Sequence, residues 1–163
     1  MAGKKNKAIF LDRDGVINKE IDAYITQVDL FELNKGLVPF LKQRRDEGYI
    51  FIVITNQGAI EKGKLDKDEL LRIHEKMTRE LMAEGIELAA IYYCPHHSDL
   101  SNCLCRKPKS LMIEKALARF DINPSASYII GDKDRDIACG EAAGVKGIHI
   151  PSNQVEILLK MKW

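Results

Sequence analysis

Excess charge of either sign is absent. The 163 residues hold 25 Lys and Arg against 24 Asp and Glu, a net charge of +1. That balance gives no reason to expect a surface for nucleic acid or for an anionic membrane. Nor is there a stripe of basic residues interleaved with aromatics. Long apolar runs are missing as well. The start, Met1 to Lys7, is basic, and only a handful of apolar residues follow before Asp12. That is too few for a signal-peptide core or a membrane span, so a cytoplasmic protein is expected. No internal repeat, low-complexity stretch or linker breaks the chain. One domain over 1–163, with no nucleic acid, no membrane and no second copy required, is the resulting expectation. Cysteine is scarce, and three of the four crowd into Cys94–Cys105 beside two histidines. In a cytosolic chain such a cluster points to a metal rather than to disulfides.

What is present is a rhythm. Apolar runs at 8–12, Ile50–Thr55, Ala89–Cys94, Ser127–Gly131 and Lys146–Ile150 have the length of buried strands. Between them lie helical patterns at 37–47, 67–84, 110–120 and 135–143, with a further short helix at 153–161. In 67–84 the stripe is Leu70, Ile73, Met77 and Leu81, with Asp66 and Glu69 forming a capping box at its start. In 110–120 it is Ile113, Ala116, Leu117 and Phe120, with Ser110 as N-cap. Strands alternating with helices predict an α/β fold with a mainly parallel five-stranded sheet, helices covering both faces. Two long connections interrupt the rhythm, 16–34 and 94–109. Both leave the carboxyl ends of strands. Long connections in compact domains are commonly functional.

Those carboxyl ends are where parallel sheets bind ligands. The first strand ends on Asp12, followed by Asp14 and Gly15. Two carboxylates so close repel unless a cation or a proton lies between them. Mg²⁺ is the natural partner, since it takes oxygen ligands and leaves room for substrate phosphate. The second strand ends at Thr55-Asn56-Gln57, which can hold phosphate oxygens. Arg106-Lys107-Pro108-Lys109 supplies three cations, and a fixed lysine neutralises a transferring phosphoryl group. The fourth strand ends at Gly131-Asp132-Lys133, adding a third acid. Nucleophile, phosphate clamp, charge neutraliser and metal anchor are the parts that phosphoryl transfer needs.

The order Asp12-x-Asp14-Gly-Val, Thr55-Asn56-Gln57, Arg106-Lys107-Pro108 and Gly131-Asp132 resembles the four motifs of the haloacid-dehalogenase (HAD) superfamily. The closer resemblance is to its heptose-bisphosphate phosphatase and histidinol-phosphatase branch, over about 8–150. That branch pairs Asp-Arg-Asp-Gly-x-Ile-Asn with a zinc loop before Cys-Arg-Lys-Pro. The resemblance implies a Rossmann-like, cap-less phosphatase. Asp12 would attack phosphorus to give an aspartyl-phosphate, and Asp14 would be general acid and then base. Mg²⁺ would sit on the carboxylates of Asp12 and Asp132 and the backbone carbonyl of Asp14. Thr55 and Lys107 would act on the phosphoryl group. Arg13, Asn56, Gln57, Arg106 and Lys133 would contact the substrate. Asp136 would either support the site or simply favour the start of its helix.

The cysteine pattern, Cys94-x-His96 with Cys103-x-Cys105, is a closed Cys₃His zinc set, hence structural. His97 competes with His96. The symmetry of the two hairpins favours His96, and so does the family pattern. Cys139, in a helical stretch, reads as a small core residue, and His74 and His149 read as ordinary helix and strand positions. Three departures from the family bear on the substrate, the first being Lys109-Ser110-Leu111 where relatives show a Pro-Gly pair after Arg-Lys-Pro. Gly58-Ala59 stands where relatives read Ser-Gly, and 19–24 is a residue longer. The implied substrate is a small phosphorylated sugar, D-glycero-D-manno-heptose 1,7-bisphosphate, cleaved at the 7-phosphate. Histidinol phosphate is the same-class rival, because Glu20, Asp22 and Asp29 can face its cation. The different-class rival is a zinc-ribbon module that binds nucleic acid.

Overall fold

The computed structural model describes residues 5–163, and the first part of the basic start, 1–4, lies outside them. Five strands form one sheet: β1 (Lys7–Leu11), β2 (Tyr49–Asn56), β3 (Leu88–Cys94), β4 (Tyr128–Gly131) and β5 (Lys146–His149). Four helices connect them: α1 (Val38–Asp46), α2 (Lys67–Ala83), α3 (Leu111–Arg119) and α4 (Asp134–Ala142). Every boundary falls within one residue of the pattern above. The last segment differs, for it winds as a 3₁₀ helix, Val155–Lys160, not an α-helix.

All strand pairs are parallel, in the order β3-β2-β1-β4-β5. Side chains alternate across each strand. Ile9, Leu11, Phe51, Val53 and Ile130 meet Phe40 and Leu41 of α1 and the Leu70–Leu81 stripe of α2. Ala8, Phe10, Ile52, Ile54 and Ile129 face the other way. They meet Met112, Ile113 and Ala116 of α3 and Cys139 of α4. Two apolar layers thus sandwich the sheet. Each fully buried Leu or Ile in them contributes about 2 kcal/mol of transfer free energy.

The helix starts carry two corrections. Asp66 does cap α2, accepting the Glu69 N–H at 2.7 Å. The Glu69 carboxylate does not complete the box. It accepts the Val28 N–H at 3.1 Å and pins the 16–34 connection to α2. Lys76 of α2 reinforces this by donating to the carbonyls of Val28 and Phe31. Ser110 makes no side-chain cap at α3, and its hydroxyl donates to Glu114 instead.

Strand order reverses at β1, which lies between β2 and β4. The crevice outside the carboxyl ends at such a switch point is the ligand position of open α/β sheets. β1, β2, β3 and β4 therefore deliver Asp12, Asn56, Cys94 and Asp132 to one edge. The 16–34 and 94–109 connections flank it. Among the described residues no helix is long and apolar enough to cross a membrane.

Candidate active site

Lys107 is the centre of the site. It is almost wholly buried, at 2% exposure. Its Nζ donates to Asp12 Oδ1 at 2.8 Å and to the Ile54 carbonyl at 2.7 Å, and lies 2.7 Å from Asp136 Oδ1. Burial opposes its charge, but Asp12 and Asp136 outweigh that and raise its pKa. Burial pushes the Asp12 carboxyl up to about 7, with Lys107 opposing and Asp136 and Asp14 adding to the rise. Asp132 follows β4. Its Oδ2 accepts from the Ser152 hydroxyl and lies 3.0 Å from Lys133 Nζ. Its Oδ1 is buried with no partner among the described residues.

These groups fit a hard cation. Carboxylate oxygens of Asp12, Asp132 and Asp136 lie within 4.8 Å of one another, all buried. Three acids against buried Lys107 and half-exposed Lys133 leave a net negative charge, which burial makes costly without a cation. Gly15 keeps the pocket open. Its φ is +85°, a conformation that favours glycine, and a Cβ there would strike the Asp132 carboxylate.

Asp14 is held away from this cluster. Arg13 Nη2 lies 2.9 Å from its Oδ1 and 3.1 Å from its Oδ2. Asn18 and Gln57 also donate to it, at 3.0 and 3.1 Å. Burial alone would raise its pKa, but Arg13 and these bonds outweigh burial and lower it. Three N–H groups of the following turn, Val16, Ile17 and Asn18, converge on the Arg13 carbonyl.

Several expected roles shift. Arg13 does not line the cavity. It is wholly buried, because its guanidinium serves Asp14 on one side and lies 3.5 Å from His74 Nε2 on the other. Thr55 is likewise buried and accepts from Gln57 Nε2 at 2.9 Å. Asn56 reaches the cavity, but its amide clasps the Lys107 backbone, donating to the carbonyl at 3.2 Å and accepting the N–H at 3.0 Å. Asp136 does both things considered for it. Besides meeting Lys107, its Oδ2 accepts the Lys133 N–H and caps α4. His74, taken for an ordinary position, is buried behind Arg13, where burial and that charge lower its pKa to about 3. Ser152 carries no motif signal, whereas Asn18 is the asparagine that closes the Asp-Arg-Asp-Gly-x-Ile-Asn motif, although that motif alone gives it no role.

The cavity above these groups has a volume of about 650 Å³. Asp12, Asp14, Asn56, Gln57, Lys107 and Asp132 form its floor. Glu20, Asp22 and Tyr24 of the 16–34 connection, with Lys64, His97, Arg106, Lys133 and Arg135, form its walls. Asp29 does not line it.

The cysteine cluster sits beside it. Sγ of Cys105 lies 3.0 Å from Cys94 and 3.7 Å from Cys103, and Cys94 lies 3.6 Å from Cys103. His96 Nδ1 is 3.5 Å from Cys94 and 3.4 Å from Cys105. A tetrahedron with Zn–S of about 2.3 Å and Zn–N of about 2.0 Å has S···S edges of about 3.8 Å and S···N edges of about 3.5 Å. The Cys103 and His96 edges fall near these lengths and the Cys94–Cys105 edge is shorter, so the four side chains can close on a zinc ion after a small adjustment, and His97 stays out of the cluster. The Arg106 N–H also points at Cys103 Sγ, at 3.4 Å. Together with the Cys105 N–H it outweighs burial and lowers the Cys103 thiol to about 6.

A parallel sheet with carboxylates and a buried lysine at its switch point is the architecture of a HAD-like hydrolase. The HAD-hydrolase-like family model matches residues 104–156. A D-glycero-beta-D-manno-heptose-1,7-bisphosphate 7-phosphatase of Pasteurella multocida is 38% identical over 145 residues, covering 86% of this chain and 78% of that protein. A D-glycero-alpha-D-manno-heptose-1,7-bisphosphate 7-phosphatase of Photorhabdus laumondii is 38% identical, covering 89% and 82%. The crystal structure of the D,D-heptose 1,7-bisphosphate phosphatase of B. bronchiseptica, complexed with magnesium and phosphate, superposes with a TM-score of 0.82. It is 30% identical and covers 94% of this chain and 86% of its own. The chain belongs to the heptose-1,7-bisphosphate 7-phosphatase family of HAD phosphatases.

Proposed function

We propose that this chain is a Mg²⁺-dependent phosphomonoesterase that removes the 7-phosphate of D-glycero-D-manno-heptose 1,7-bisphosphate. The observation that carries the chemistry is the pairing of Asp12 with buried Lys107 beside the unpartnered Asp132 Oδ1. Asp12 attacks phosphorus with a carboxylate oxygen, and the P–O bond to the sugar breaks. Asp14 must first take up a proton against the pull of Arg13, which lowers its pKa, and it gives that proton to the departing alkoxide. It then takes a proton from the water that attacks the aspartyl-phosphate, freeing Asp12 and inorganic phosphate. Lys107 stays fixed by Asp136 and balances charge on the phosphoryl oxygens. Mg²⁺, held by the Asp12 and Asp132 carboxylates and the Asp14 carbonyl, would supply further charge neutralisation and alignment. Zn²⁺ on Cys94, His96, Cys103 and Cys105 would be structural. The substrate follows from the relatives' names and from the cationic wall of Lys64, Arg106, Lys133 and Arg135, which suits a second phosphate. We place the enzyme in the cytoplasm, as a single-domain monomer.

A second reading is favoured by one feature. Glu20 and Asp22 line the cavity and can meet the cation of histidinol phosphate. The test is phosphate release with Mg²⁺, comparing kcat/KM on both anomers of the heptose bisphosphate and on histidinol phosphate. A preference of about a hundredfold, roughly 2.7 kcal/mol, decides between the substrates. Asp12→Asn must abolish turnover on all of them. Persistent turnover in that variant rules out the aspartyl-phosphate.

A further inference from the structure

We infer that His97 is a specificity-determining residue, which donates its Nε2–H to an oxygen of the substrate on the far side from the scissile phosphate. This rests on the reading of the cavity as a sugar-phosphate site. The ring lines the cavity wall although its neighbour His96 belongs to the metal cluster. The residue's backbone is held by Glu61 and its ring by Asp99. The His97 backbone N–H is accepted by Glu61, which also accepts the Ser101 hydroxyl at 3.1 Å. The Asp99 N–H points at Nδ1 at 3.2 Å. That bond needs the Nδ1 lone pair, so the neutral ring carries its proton on Nε2. Asp99 Oδ2 lies 3.4 Å from the same Nδ1, but its side chain is 72% exposed, and the N–H is the nearer partner. If the ring is protonated, that carboxylate accepts from Nδ1 and Nε2 is still a donor.

The wall opposite the ring is shaped to admit it. A Cβ on Gly58 would lie 2.9 Å from His97 Cδ2 and 3.2 Å from Arg106 Nη1. Only a residue without a side chain lets both stand there undisturbed. Arg106 is itself braced, with Nη1 donating to the His96 carbonyl at 2.8 Å. His97 and Arg106 thus form a pair of preset donors on the zinc-loop side, carried by one backbone segment. Ordering them in advance removes an entropic cost from binding.

The experiment measures kcat/KM for heptose 1,7-bisphosphate, heptose 7-phosphate, histidinol phosphate and an aryl phosphate, in the wild type and in His97→Phe, His97→Gln and Gly58→Ala. Zinc content and the urea midpoint establish that each variant is folded. The expected result concerns the ratio of the preferred substrate to the aryl phosphate. It falls about tenfold or more in His97→Phe, which keeps ring volume but has no donor, and recovers in His97→Gln. Gly58→Ala lowers the ratio too, and adds little to His97→Phe in the double variant. A fall on the bisphosphate alone assigns the partner oxygen to the 1-phosphate, and a fall on both heptose compounds assigns it to a sugar hydroxyl. An unchanged ratio in a folded His97→Phe overturns the inference. Should the wild type prefer histidinol phosphate, the heptose reading fails while the His97 ratio is still read, on that compound. Should it prefer nothing over the aryl phosphate, both fail.

Discussion

Lys107 and Asp136 depend on each other, and neither spacing nor composition predicts that. Asp136 is the third residue of α4, in its first turn, where a carboxylate is ordinarily a helix-start residue. Here it is wholly buried and meets Lys107 at 2.7 Å. Asp136→Asn should cost about 3 kcal/mol of stability in urea denaturation, because a buried cation loses one of its two anions. It should also lower kcat on the order of a hundredfold through misplacement of Lys107. A variant with wild-type kcat would show that Asp136 acts only as a helix cap. Arg13 stands in sequence between two chemical residues, yet it is wholly buried and does not line the cavity. Its side chain turns inward as the N–H groups of the turn close on its carbonyl. His74 did leave a trace, for it completes the stripe of Leu70, Ile73, Met77 and Leu81, where a polar residue is out of place. Its folded pKa of about 3 lies below the ordinary 6.5. The unfolded chain therefore binds the proton first as pH falls. The stability that neutral His74 allows is complete above pH 6.5 and is lost progressively towards pH 3, by roughly 2 kcal/mol at pH 5. His74→Phe should flatten the slope of urea midpoint against pH between 6.5 and 4.5. An unchanged slope would place the acid sensitivity elsewhere.

Periodicity exposed the regular elements, since apolar spacing and burial are the same physical fact. The two connections had no such period. Their anchors are long-range bonds between residues distant in sequence, such as Glu69 to the Val28 N–H and Lys76 to the Phe31 carbonyl. The 94–109 connection was readable only through its metal chemistry. With no strand or helix of its own, it must deliver Arg106 and Lys107 to the site, and the Cys₃His cluster is what can hold it. Stripping zinc with a chelator should therefore lower the thermal midpoint and lower kcat/KM by about tenfold or more. Excess Mg²⁺ should not restore activity, whereas added Zn²⁺ should. Full activity in protein stripped of zinc would mean that Asn56 and the buried lysine pair hold the connection unaided.

At the scale of the molecule, the fold concentrates buried charge at one edge of an otherwise apolar sandwich, and stability must answer to whatever binds there. Asp12 has its pKa raised to about 7 from the usual 3.8. Between those values the folded chain binds a proton that the unfolded chain has released. The contribution of Asp12 to stability is thus fully present below pH 3.8 and is lost as pH rises through 7. A divalent cation reverses that trend, because it needs the ionised carboxylate and competes with the proton. Mg²⁺ should raise the urea midpoint more at pH 8 than at pH 6, by an amount corresponding to about 2.7 kcal/mol when its free concentration is about 100 times Kd. Asp132→Asn should remove most of that increment, since Asp132 Oδ1 is the buried oxygen left without a partner. An increment of equal size at both pH values would mean that the ion binds without Asp12. An increment that survives Asp132→Asn would place it outside the carboxylate cluster altogether.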